Sequence, residues 1–295
     1  MPLPSKSLPS QLGMSHPPNT AENPTFYRLL QTLTLRDDQI SGRFQREVKM
    51  TRQLITATAV AIVLAACGGG GGGSSSTPAP MPPASGLYQG TTDTNRQASV
   101  LVLDDGRVYS LYSVVGNPNT IAGGIIGTVA SNNGALSNGN GLDYNLEGQG
   151  VNAVTLSGTY TAKASVSTTI QYANGTKVTF NGKYDTSYDT TPTQATVTGT
   201  FKGTSVTNLG SDPDVTITAD ANGSITGTGT GCAFTGTIKP HSAGNVYDVT
   251  INFGAGQCAY PNTSATGVGV INGTAIHVEL QTPAKAGVLF LGTKQ

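Results

Sequence analysis

Tryptophan is absent from this 295-residue chain, histidine and cysteine occur three times each, and only 11% of positions are charged. Sixteen Lys and Arg balance sixteen Asp and Glu, so no single-sign field exists to hold a nucleic acid or form an acidic tail. Glu, Lys, Arg and Leu are too sparse, and the 39 Gly too many, for a helical bundle or coiled coil. An all-β or partly disordered chain remains.

Against that background one stretch stands out. Met50-Thr51-Arg52-Gln53 is a short basic start, and the apolar or small run Leu54 to Ala66 leads into Cys67. That run is too short for a bilayer core needing ~20 helical residues, and fits the apolar part of a secretory signal. Its end, Leu64-Ala65-Ala66-Cys67, resembles the bacterial lipobox. The resemblance implies cleavage before Cys67 and acylation of that residue with palmitate-type chains, making the lipid bilayer its partner. Residues 1–49, polar and Pro-rich, then read as an over-long start or a disordered extension, with 50–66 as the signal peptide. Gly68 stands where an Asp would mark inner-membrane retention, so an outer-membrane location is expected.

From Cys67 to Gln295 the chain keeps 9 basic and 12 acidic residues. With Cys67 acylated, Cys232 and Cys258 remain, and an oxidising compartment favours their pairing. A bridge closing about 26 residues contributes on the order of 3 kcal/mol. The rival, a metal site, would have only His241 and His277 to draw on and no C-x-x-C spacing. Residues 67–85 carry a glycine tract, a serine run and alternating prolines, the composition of a tether reaching roughly 25 Å as a coil.

Beyond Gly86 the hydrophobic period is two, and turn dipeptides separate the runs. Asp105-Gly106, Asn174-Gly175, Asn222-Gly223 and Asn272-Gly273 each lie between β-prone segments and suit two-residue hairpin turns. Glycine precedes an aromatic by two positions at Gly86/Tyr88, Gly158/Tyr160, Gly182/Tyr184 and Gly199/Phe201. Such glycines leave room for a ring on the same sheet face and let a sheet coil. Gly86-Leu87-Tyr88-Gln89-Gly90-Thr91-Thr92 is echoed 113 residues later by Gly199-Thr200-Phe201-Lys202-Gly203-Thr204-Ser205. Two antiparallel meander or small-barrel units are expected, 86–192 and 193–295, with a single β-sandwich as the alternative.

The lipobox, the glycine tract, Gly86 to Thr91, Gly231-Cys232-Ala233-Phe234-Thr235-Gly236, Gly244 to Val249, Cys258 and Leu291-Gly292-Thr293-Lys294 resemble a family of proteobacterial lipoproteins without an assigned activity. More distantly, the Gly-rich meander resembles the small barrels of transferrin-binding and factor-H-binding surface lipoproteins. The resemblance implies an envelope lipoprotein and assigns no catalytic residue.

No Gly-x-Ser-x-Gly elbow occurs. His277 shares a strand face with Ala275 and Glu279 and reads as solvent-facing, while His241 follows Pro240 in a turn and reads as a surface residue. Asp212-Pro213-Asp214 and Asp220 do not match a calcium loop and read as turn formers. Gly227 to Gly231 lacks the helix a phosphate loop requires. No cofactor is therefore expected, no catalytic residue and no nucleic-acid partner. The favoured function is a non-enzymatic binding, adhesion or envelope-organising lipoprotein with a protein or glycan partner. The alternative is a glycan- or peptide-processing hydrolase using Asp143 and Glu147, if a barrel mouth brings them close. A hollow barrel carrying a substrate is a third option.

Overall fold

The computed structural model describes residues 81–295; the expected signal segment, Cys67 and the glycine tract lie outside them. Strands β1 (Gly86–Thr92), β2 (Gln97–Val102), β3 (Arg107–Val114), β4 (Asn117–Asn132), β5 (Ala135–Asn145), β6 (Gly150–Thr161), β7 (Ser165–Tyr172) and β8 (Lys177–Tyr184) close into one barrel. A second follows from β9 (Gly199–Thr207), β10 (Gly210–Ala219), β11 (Ser224–Gly229), β12 (Cys232–Pro240), β13 (Tyr247–Phe253), β14 (Ser264–Asn272), β15 (Ala275–Gln281) and β16 (Gly287–Lys294). Every pairing is antiparallel, and each set closes first strand on last, so the alternative of one continuous sandwich gives way to two tandem barrels.

Alternation explains why these segments are strands and which way they face. In β6, Val154, Leu156 and Tyr160 are buried while Thr155, Ser157 and Thr159 are not. In β15, Ile276, Val278 and Leu280 point into the second core. The apolar side thus lines the lumen, the reverse of a membrane-spanning barrel with its outward apolar band. Among the described residues no helix is long and apolar enough to cross a membrane. The four hairpin glycines Gly106, Gly175, Gly223 and Gly273 have φ between 60° and 86°, the geometry their turns require.

The two barrels repeat each other in detail. Ala84 and Val197, 113 residues apart and each two positions before a first strand, are both fully buried against their barrel's core. In the first barrel the Tyr88 hydroxyl donates to the Ala84 carbonyl at 2.9 Å; in the second a one-turn helix, Gln194–Val197, ends in the buried Val197. Phe180-Asn181-Gly182 on β8 corresponds to Phe290-Leu291-Gly292 on β16, with each ring lying over its own glycine.

Some strands are buried on both faces. On β16, Val288 and Phe290 enter the second core while Leu289 and Leu291 pack against Leu111 of the first barrel. Leu87, Leu101, Leu103 and Tyr109 meet Tyr188, Val246 and Val268 in a second apolar seam. Polar contacts flank it: the Tyr144 hydroxyl donates to the Lys285 carbonyl at 2.8 Å, and Gln281 Nε2 donates to the Tyr144 hydroxyl at 2.6 Å.

Candidate functional site

Each barrel has a hollow that opens at the end where its first strand finishes, and the two differ in chemistry. In the second barrel the hollow measures about 420 Å³. Its wall includes Phe201, Val215, Ile225, Val249, Ile251 and Phe290. The opening lies between three connections: the β9–β10 turn with Leu209, the Thr230–Gly231 turn, and the loop carrying Gln257 and Ala259. Leu209 is 71% exposed at that rim.

Two devices hold the rim. Asp212 accepts from Thr230 N at 2.6 Å, from Thr230 Oγ1 at 3.2 Å and from Asp214 N at 3.1 Å, beside a break in register between Asp212 and Val215. Two residues beyond Thr230, Cys232 at the start of β12 is disulfide-bonded to Cys258, with Cα atoms 4.6 Å apart, and this clips the β13–β14 loop against the barrel. The same loop places Tyr260 against Phe253, which in turn meets Phe234 edge to face. Asp220 accepts from Asn222 N and Ser224 N in its hairpin, so both acidic loops are held by backbone donors.

The first barrel opens into a polar vestibule of about 490 Å³. Asp143, on the inward face of β5 and 2% exposed, receives the Tyr112 hydroxyl on Oδ1 at 2.7 Å and the Tyr172 hydroxyl on Oδ2 at 2.9 Å. Burial pushes its pKa above the usual carboxylate range, outweighing those two hydrogen bonds and the nearby Arg96 charge. Burial and the Asp143 carboxylate hold both tyrosine hydroxyls protonated. Arg96 donates to the Ser113 carbonyl and to Glu147 Oε2, both at 2.8 Å, and stacks 5.4 Å from the Tyr112 ring centroid.

Asp143 and Glu147 therefore line the same mouth. Their oxygens are engaged by Tyr112, Tyr172 and Arg96, an arrangement that positions the carboxylates as fixed acceptors. The tyrosines and Arg96 carry no distinctive sequence signal, because each occupies an ordinary strand or strand-end position and only barrel closure brings them together.

One histidine reading needs correction. His241 is no free surface residue: Nδ1 lies 2.8 Å from Asp248 Oδ2 and Nε2 3.1 Å from Asp104 Oδ1 of the first barrel, with the side chain 9% exposed. Burial alone would depress its pKa, but the hydrogen bonds to Asp248 and Asp104 outweigh this and raise it. His277 is exposed, as its strand position implies, whereas its face-mate Glu279 is not. Glu279 on that face abuts Gly124 and Leu111 of the first barrel, and burial raises its pKa to about 8. Among the described residues no group of three or more His, Cys, Asp or Glu is placed to hold a metal.

No protein-family model matches the chain, and no curated protein does. Among solved structures, the isotype 1 transferrin binding protein B of serogroup B Neisseria meningitidis is similar over 73% of this chain and 78% of that one, at 10% identity and a TM-score of 0.27. A superposition this loose carries no argument about function.

Proposed function

We propose that this protein is a membrane-anchored, non-enzymatic binding lipoprotein of the cell envelope, lipid-anchored at the outer membrane, that carries an apolar small molecule in its second barrel. The observation that carries the reading is the hollow in that barrel's core. Close-packed interiors leave few voids larger than a water molecule, whereas ligand sites of small molecules run from ~300 to ~1,000 Å³. A space of about 420 Å³ walled by Val, Ile, Leu and Phe suits an alkyl or fused-ring compound. Polar groups gather at the rim, where Asp212, Thr230 and Gln257 could orient a head group. A lipidated Cys67 followed by a Gly-, Ser- and Pro-rich tether would keep such a carrier near the source of apolar ligands.

The test uses the full-length protein purified from its membrane fraction. Organic extraction and mass spectrometry are expected to recover a stoichiometric apolar molecule, and a fluorescent fatty-acid probe is expected to bind. Ile251→Trp, which fills the lumen, should lower probe affinity by roughly tenfold or more. Absence of both extractable ligand and probe binding ends the carrier reading. Separately, Cys67→Ala should release the protein from membranes, and unchanged fractionation would refute the anchor.

A further inference from the structure

We propose that the vestibule of the first barrel is a second, chemically distinct site, for a small primary ammonium carrying a short apolar tail. The argument begins with the direction of the hydrogen bonds. Both tyrosine hydroxyls in the vestibule donate to Asp143, so Tyr112 and Tyr172 turn only oxygen lone pairs toward an incoming ligand. An ionised carboxylate has about four lone-pair positions, of which two are filled here, leaving Asp143 free to accept more. Asn145 Oδ1 already accepts from Glu147 N and Gln149 N, and its Nδ2 donates to the Tyr112 hydroxyl. Arg96 directs two of its N–H groups to Ser113 and Glu147. Around the Asp143 carboxylate the unused capacity is therefore acceptor capacity, and a ligand group that satisfies it must donate.

Charge selects among donors. Arg96, Asp143 and Glu147 leave one negative charge in excess, and Asp143 is nearly removed from solvent, which strengthens its attraction for a cation. Beneath this polar ring the wall turns apolar, with Val100, Ile125, Ile170 and Phe180 lining the deeper cavity. A carboxylate buried in a barrel that could have been filled by an apolar side chain is a poor device for stability alone. Placement adds to the argument: the chain enters the first barrel at the opposite end, where Met81 N meets Asn133 and Ala84 N meets Ser131. The vestibule faces away from the point where the described chain begins, at Met81.

The experiment titrates the full-length protein with three five-carbon probes differing in head group: pentylamine, pentanol and pentanoate. Amide NMR shifts tell the two barrels apart. Pentylamine is expected to bind most tightly and to shift Ala98, Asn145 and Asn152, with pentanoate not binding there. Asp143→Asn, close to isosteric, should weaken pentylamine roughly ten- to a hundredfold, the scale of a charge-assisted hydrogen bond. Should that variant fail to fold, Glu147→Gln at the exposed rim should still weaken the amine several-fold and leave pentanol unchanged. Equal affinity for amine and alcohol, no amine binding, or shifts confined to the second barrel would each overturn the assignment. None of these results bears on the apolar carrier function, which Ile251→Trp tests in the other lumen.

Discussion

Gly90 faces Gly182 across the strand pair that closes the first barrel, and a Cβ on Gly90 would stand 2.7 Å from the Gly182 Cα. The second barrel repeats the arrangement with Gly203 opposite Gly292, at 2.5 Å. The backbones meet at the seam because neither side has a side chain there, and a ring, Phe180 or Phe290, covers each gap. Gly90→Val and Gly203→Val are each expected to cost about 3 kcal/mol or more, since backbone blocks the new side chain. Urea unfolding followed by circular dichroism checks this, with Gln89→Ala as the exposed control.

The His241 bridge joins the barrels through a proton. Each ring nitrogen faces a carboxylate, so both must donate and the imidazolium is the bonded form. The folded-state pKa is raised, so the stabilisation is complete below the unfolded value near 6.5 and fades as pH rises through the folded value. Thermal midpoints should fall across that interval in the native protein. In His241→Gln the fall should flatten, and an unchanged slope would reject the bridge as its source.

Glu279 has the opposite character. Its pKa of about 8 arises from burial, so the folded state prefers the neutral acid. Stability is therefore greatest below the ordinary glutamate range and declines as pH rises toward 8, where the carboxylate must ionise against the first barrel. Glu279→Gln should gain more than about 1 kcal/mol at pH 9 and change little at pH 4, measured by denaturant unfolding at both.

The Cys232–Cys258 bridge holds a loop at the rim of the apolar lumen. Replacing both by Ala should lower stability by roughly 2–4 kcal/mol. It should also speed dissociation of the fatty-acid probe, because the β13–β14 loop loses its clip. Stopped-flow release measured on the native and double-Ala proteins compares the two; equal rates would separate the bridge from ligand retention.

Asp143 marks the limit of what could be read in advance. Its strand and even its candidacy were legible, because Leu142-Asp143-Tyr144 sits in a β-prone run. Its partners were not: Tyr112 lies two strands before it and Tyr172 two strands after. The unbroken run Val288-Leu289-Phe290-Leu291 signals a strand buried on both faces, and it is the clearest sequence trace of the inter-barrel seam. Among the Gly-x-aromatic pairs, Gly86 and Gly182 do lie beneath rings, whereas Gly158 approaches the Ser167 carbonyl and Gly199 the Lys294 side chain. Pattern alone does not distinguish a glycine kept for a ring from one kept for backbone.

The amino-acid order by itself determined the all-β character, the four hairpin turns and the 113-residue duplication. These depend on local matters: side-chain alternation, positive-φ tolerance and identity at a fixed offset. Only the closed tertiary structure decided which lumen is apolar and which holds a carboxylate, and that His241 and Glu279 meet another barrel. Those properties belong to groups far apart along the chain, whose solvation and hydrogen bonding exist only once first and last strands have paired.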